Sequence, residues 1–242
     1  MPNPQTVRAL FAAVAGRYDL LNHVLSLSID RLWRRRLVRL AASRVENPSV
    51  LDICCGTGDI ALAFRRRTGG RVVGVDFSPP MLAVARAKAR RRARAREIGL
   101  VCGDALVLPF ADGVFDVATM GFGLRNLSDY RAGIAEAART IGPGGLVLIL
   151  EFAPPAGVGP LLLYRLYLRV VIPVVGGLLT GRRDAYEHLS DTIAGFLAPS
   201  RVTALMTAAG LGGVEAIPLT GGIAYIYIGR KGDSSACGRG RP

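Results

Sequence analysis

At 242 residues, half of them hydrophobic, the chain is long enough to bury an α/β core and too apolar to be disordered over most of its length. A formal charge of +13, concentrated in 31–39, 65–67 and 86–96, suits an anionic partner, nucleic acid or an acidic membrane surface, although arginine-rich composition on solvated faces explains it as simply. None of these clusters carries the interleaved aromatics of a single-strand groove, and four cysteines without a C-x-x-C pair argue against a disulfide framework or structural zinc and for a reducing compartment.

The N-terminus lacks the plan of a secretory signal. Residues 5–24 read as one helix with Val7, Leu10, Phe11, Val14 and Tyr18 on one side. A second, arginine-studded helix over 28–40 has Ile29, Leu32, Trp33, Val38 and Leu40 as its apolar positions. Both are expected to form a cap (1–45) over the ends of a sheet. The chain then alternates: strand 50–53, helix 59–67, strand 71–75, helix 79–96, strand 99–102, strand 115–119, helix 129–140 and strand 145–150. That rhythm predicts a doubly wound, mostly parallel sheet. The run Gly142-Pro143-Gly144-Gly145 reads as a turn that stops the preceding helix.

After Glu151 the rhythm changes. Residues 157–195 form an apolar insertion interrupted by Pro160, Arg165, Arg169 and Pro173, too broken to span a bilayer. A lid over a greasy ligand or against a membrane surface accounts for it, as does ordinary core packing. A helix over 199–209 and strands over 213–218 and 223–229 complete one domain (1–230), and 231–242 reads as a disordered tail.

The chemistry concentrates in Val50-Leu-Asp-Ile-Cys-Cys-Gly-Thr-Gly-Asp59, an apolar strand, a glycine turn and a helix start. Gly56 and Gly58 let a ligand lie against bare backbone at a helix N-terminus. Asp76 ends the next strand, where an acid accepts both hydroxyls of a ribose. The turn also satisfies the loose dinucleotide pattern G-x-G-x-x-A, so a nicotinamide cofactor and S-adenosylmethionine both remain open. Asp52 favours the second, because a carboxylate there answers a cationic methionine ammonium and repels a pyrophosphate. The plain alternative is that Asp52 braces the glycine loop.

Gly103-Asp104-Ala105, Leu108-Pro109-Phe110, Phe115-Asp116 and Pro143-Gly144-Gly145 resemble the successive motifs of class I S-adenosylmethionine-dependent methyltransferases. Three further segments, Phe11 to Asn22, Gly121-Phe-Gly-Leu-Arg-Asn126 and Pro173 to Leu189, resemble the ubiquinone and menaquinone biosynthesis C-methyltransferases. The resemblance covers Val7 to Gly229. It implies a seven-stranded sheet and methyl transfer from S-adenosylmethionine to a ring carbon of a prenylated quinol; two histidines and no carboxylate cluster argue against a metal. The donor falls to Asp52, Gly56, Thr57, Gly58, Asp76, Phe77, Asp104, Ala105 and Gly121, with Asp104 near the adenine amino group. Arg125 is expected to stabilise a quinolate and Asn126 to hold a ring oxygen, or else Arg125 forms a loop-to-cap salt bridge and Asn126 caps a helix. Tyr18 and Asp19 are expected to touch substrate or order Arg125, although Asp19 equally reads as a helix cap. His23 reads as an exposed structural histidine, or else as a base or water relay.

Met120-Gly121, where many relatives have serine, resembles members that act on naphthoquinones in photosynthetic lineages. The expected acceptor is therefore demethylmenaquinol or demethylphylloquinol, with a ubiquinone-pathway benzoquinol as the alternative. A nucleic-acid-binding protein with a vestigial cofactor site is the alternative from another class, although no specific nucleic acid is expected. An anionic membrane surface is the expected partner and a homodimer is compatible with the sequence. The expected location is the cytoplasm at the membrane periphery, or a plastid in a photosynthetic eukaryote.

Overall fold

In the computed structural model, which describes residues 4–16, 18–26, 28–91, 98–153 and 192–232, the first two strands are buried along their whole length. These are β1 (Val50–Ile53) and β2 (Val72–Asp76), and their unbroken apolar runs follow from helices covering both faces of a parallel sheet. With β3 (Gly99–Cys102), β4 (Phe115–Gly121), β5 (Ile141–Phe152), β6 (Leu211–Leu219) and β7 (Ala224–Lys231) they form one sheet in the order β3-β2-β1-β4-β5-β7-β6. The first five are parallel, and β7 enters antiparallel between β5 and β6. Strand order reverses between β1 and β4, so a crevice opens at their carboxyl ends.

Alternate residues of each strand feed opposite cores. Val50, Val72, Val117, Leu148 and Ile226 pack with Trp33, Leu37 and Val38 of α3 (Ile29–Ala42) and with Ile60 and Phe64 of α4 (Asp59–Arg67). Leu51, Val73, Ala118, Ile149 and Tyr227 pack with Ile134 and Ala137 of α6 (Tyr130–Thr140) and with Val202 and Met206 of α7 (Pro199–Ala208). On the flank of β2 and β3 lies α5 (Pro79–Arg90).

Four expectations change. Residues 5–24 are two helices, α1 (Pro4–Val14) and α2 (Tyr18–Leu25), parted at Gly16, whose backbone freedom disfavours a helix interior. The arginine-studded helix lies along the sheet instead of over the strand ends, because Trp33, Leu37, Val38 and Ala41 form a core-facing stripe; Leu32 is left 56% exposed. The Gly142–Gly145 segment belongs to β5. Ile141 pairs with Phe115, the ladder bulges, and pairing resumes at Leu146 with Val117. Lys231 belongs to β7 and not to the tail: its ammonium donates to the carbonyls of Ala138, Arg139 and Ile141 at the end of α6.

The insertion from 157 to 191 and the tail from 233 lie outside the described residues. Among those described, no helix is long and apolar enough to cross a membrane.

Candidate active site

Gly56 and Gly58 both adopt left-handed backbone, φ +53° and +80°, which turns the chain from β1 into α4. A Cβ at Gly58 would lie 3.1 Å from Ala85 Cβ of α5, whereas one at Gly56 would meet nothing within 4 Å. Gly58 thus serves packing, and Gly56 leaves bare backbone beside a cavity. That cavity sits over the carboxyl ends of β1 to β4 and encloses about 820 Å³, its open mouth included. Val7 and Phe11 of α1 and Tyr18 of α2 cover it, so the cap consists of the first two helices.

Asp76 lines the cavity and is 6% exposed. Its Oδ2 accepts from Gly56 N–H at 2.7 Å and its Oδ1 from Ser78 N–H at 2.9 Å. Burial raises its pKa, against the pull of these two donors. Phe77, Asp104, Ala105 and Gly121 line the same cavity, and Asp104 accepts from Leu106 N–H at 2.9 Å. A side chain at Gly121 would collide with Ile60 Cδ1, so Ile60 fills the space a larger residue would need. The described lining holds two carboxylates, Asp76 and Asp104, and no Lys or Arg. That suits a cationic nucleoside and opposes the pyrophosphate of a dinucleotide.

Several expected site residues stand elsewhere. Asp52 is not part of the lining: its two oxygens accept from Ala61 N–H (2.9 Å) and Thr119 Oγ1 (3.0 Å), bracing the start of α4. Burial raises its pKa to about 7, against both hydrogen bonds. Thr57 and Asp19 face each other behind the turn, where the Thr57 hydroxyl donates to Asp19 and Lys88 Nζ reaches Asp19 Oδ2 at 2.6 Å. Asp19 therefore neither lines the cavity nor contacts Arg125; the nearby lysine and hydroxyl hold it. His23 is only 15% exposed and its Nδ1 lies 3.0 Å from Asp30, which corrects the expectation of an exposed histidine.

Arg125 is 4% exposed within a 3₁₀ turn, Leu124–Asn126. Its Nη1 donates to Glu151 Oε1 (2.6 Å) and to the Phe122 carbonyl (2.9 Å), and its backbone N–H donates to Glu151 Oε2 (3.2 Å). Nη1 is thereby tied to β5 and to the turn, Arg125 is not among the described residues lining the cavity, and its buried Nε has no hydrogen-bond partner among the described residues. Asn126 lines the cavity; Asp129, which accepts from Ala132 N–H, is the N-cap of α6. Tyr18 lines the same cavity and hydrogen-bonds Asn22. Burial raises the pKa of its hydroxyl, and the Arg125 charge partly offsets this.

Glu151, Lys88 and Phe122 escaped the sequence analysis. One signal was available for Glu151: a carboxylate closing the apolar run Leu146–Leu150 must be met by a buried cation. Lys88 carries no such mark, since a lysine near a helix end reads as solvated.

A seven-stranded sheet with an antiparallel β7, carrying an acid-lined cavity beside a glycine turn, defines a class I S-adenosylmethionine-dependent methyltransferase. The chain belongs to the ubiE/COQ5 methyltransferase family, whose model matches residues 2–231. It is 45% identical over 223 residues to the demethylmenaquinone methyltransferase of Thermus thermophilus, covering 92% of this chain and 100% of that one. It is 40% identical over 234 residues to the ubiquinone/menaquinone biosynthesis C-methyltransferase UbiE of Bdellovibrio bacteriovorus, covering 94% and 97%. The fold alone is shared with the [4+2]-cyclase SpnF (TM-score 0.62, 20% identity, 96% of this chain and 98% of that one). The same holds for a possible histamine N-methyltransferase of Thermotoga maritima (TM-score 0.63, 18% identity, 93% and 99%). S-adenosylmethionine is the methyl donor, and the nicotinamide alternative falls away.

Arg125→Ala leaves Glu151 charged in a dry site and should cost about 3–5 kcal/mol in urea denaturation, most of it regained when Glu151 is also replaced by an apolar residue. Asp52 makes stability fall as pH rises. With its folded pKa near 7 and an ordinary unfolded value, the folded state holds a proton that the unfolded chain has lost. Asp52→Asn should remove about 2 kcal/mol of the decline between pH 5 and 8, measured by denaturation at each pH.

Proposed function

We propose that the protein methylates a ring carbon of a prenylated naphthoquinol of the demethylmenaquinol type. The observation that carries this reading is whole-length similarity to the demethylmenaquinone methyltransferases of Thermus thermophilus, at 45% identity, and Deinococcus radiodurans, at 42%. The cavity supports it: beside its acidic rim lie Val7, Phe11, Phe122 and Leu127, an apolar wall for a flat ring.

In this reading Asp76 receives the ribose hydroxyls, Asp104 faces the adenine, and the backbone at Gly56 receives the methionine portion. S-adenosylmethionine, when bound, supplies an activated methyl group, so the chain's own task is alignment and support of a nucleophilic carbon. That carbon is nucleophilic when the ring is reduced and a hydroxyl gives up its proton. Tyr18 and Asn126, which both line the cavity, contact the ring oxygens. Arg125 acts indirectly: it holds the Phe122–Asn126 turn through Glu151 and puts a fixed positive charge near Tyr18.

The same proposal sets the enzyme against an anionic membrane surface, where a prenylated acceptor resides. Arg35 and Arg39 of α3 and Arg66 and Arg67 of α4 line one groove, and Leu32 stands exposed on α3. Both helices' acids, Asp30 and Asp59, are taken up at their N-terminal ends by Arg34 and Lys88. The outer half is therefore cationic.

Labelled methyl from S-adenosylmethionine should enter reduced demethylnaphthoquinol and not its oxidised form. Greater transfer to the benzoquinol precursor would move the acceptor to the ubiquinone pathway. Asp76→Ala should raise the KM for donor at least tenfold before it lowers kcat; an unchanged KM would remove the ribose assignment. In flotation assays the protein should rise with phosphatidylglycerol vesicles and stay down with neutral ones. Charge reversal at Arg35, Arg39 and Arg67 should abolish that at low salt, with methylation of a short-chain soluble quinol preserved.

A further inference from the structure

The cap that covers the cavity is tied to the glycine turn by one polar cluster. Lys88 Nζ of α5 reaches three acceptors: Asp19 Oδ2 of α2 at 2.6 Å, Asp59 Oδ1 of α4 at 2.6 Å and Thr57 Oγ1 of the turn at 3.1 Å. An ammonium has three protons, so all its donors are used. The Thr57 hydroxyl accepts from Lys88 and donates a hydrogen bond to Asp19, which closes a ring of contacts around the turn. The second oxygen of Asp59 goes to Arg34 Nη1 at 3.1 Å, and Arg34 also binds Asp30, bringing α3 into the cluster. The side chains of Lys88, Asp59 and Asp19 keep 19%, 26% and 29% of their exposure, enough desolvation to strengthen the contacts and enough water to let them part.

The consequence follows from chain connectivity. Asp19 is next to Tyr18, which lines the cavity, and both lie in the first turn of α2. Whatever fixes Asp19 fixes where Tyr18 stands. Without the ammonium, Asp19 keeps only the Thr57 hydroxyl and faces Asp59 with no cation between them, which loosens α2 from the turn.

We propose that Lys88 is a positioning residue that latches the α1–α2 cap onto the glycine turn through Asp19, making the cap the gate for methyl donor and demethylated product. The gate rests on the cavity being the donor site and on nothing about the acceptor. Closed, the latch holds Tyr18 over the cavity; opened, it frees the edge between α2 and the turn for exchange.

The test is the release rate of S-adenosylhomocysteine. The chain's single tryptophan, Trp33, lies 6.2 Å from the Phe122 ring in the cavity wall and serves as the stopped-flow fluorescence reporter. Release from Lys88→Met should be about tenfold faster or more, with Lys88→Arg restoring most of the wild-type rate. Asp19→Asn should act in the same direction, and the double variant should be no faster than the faster single one, because both break one link. Wild-type release should quicken with salt and that of Lys88→Met should not. A release rate within twofold of wild type in both single variants, or a lowered Tm as the sole change, would overturn the gate. Failure of S-adenosylhomocysteine to bind wild type would instead overturn the donor site, and the gate with it.

Discussion

The buried carboxylate of Asp76 sets the spacing on which the site depends. It ends β2, accepts from Gly56 N–H in the turn after β1, and accepts from Ser78 N–H where α5 begins. One side chain thereby joins the first two strand-to-helix connections at fixed distance, and the cavity opens between them. Holding a carboxylate in so dry a place raises its pKa, and the two backbone donors are what keep an acid there tolerable. Because scaffold and cavity wall are the same residue, the rim is acidic by construction.

A second buried acid does for the back wall what Asp76 does for the front. Glu151, fully buried at the end of β5, receives the backbone N–H and the guanidinium of Arg125 and so moulds the turn that carries Phe122 and Asn126. Phe122 is then packed between Phe152 (4.8 Å), Trp33 (6.2 Å) and the guanidinium of Arg34 (5.6 Å). An aromatic fixed on three sides makes a firm wall for a planar ring. The guanidinium of Arg125 lies over the Phe152 ring (5.4 Å), and its charge partly offsets the rise that burial gives the Tyr18 pKa.

These walls contrast with the cover. The sheet's ends are held by fully buried groups, whereas α2 meets the glycine turn through partly solvated polar contacts around Lys88. Contacts of that kind open at lower free energy than a packed core. A rigid floor under a separable roof is the arrangement that a two-substrate transfer needs, since donor product must leave after every turnover.

Much of this was legible along the chain, for an identifiable reason. The apolar runs at 50–53 and 72–75, the glycine turn and Asp76 are local in sequence, and local spacing suffices to predict a strand, a turn and an acid at a strand end. Asp104, Phe77 and Gly121 fall on the cavity because each ends or follows a parallel strand, and parallel strands end on one side. Periodicity also misled: it ran α1 and α2 together across Gly16 and put Leu32 on a buried face. Long-range pairing was out of its reach. That Arg125 would turn to Glu151, that Asp52 would brace Ala61, and that Asp19 would meet Lys88 depend on which elements the sheet order makes neighbours. The sequence by itself determined the class of fold and which residues, Gly56, Asp76, Phe77, Asp104, Ala105 and Gly121, come together at the carboxyl ends of the parallel strands, since those follow from short-range pattern. Only the tertiary structure decided which charged groups face the cavity and which are spent holding it, because a buried charge goes wherever a partner desolvated beside it can compensate.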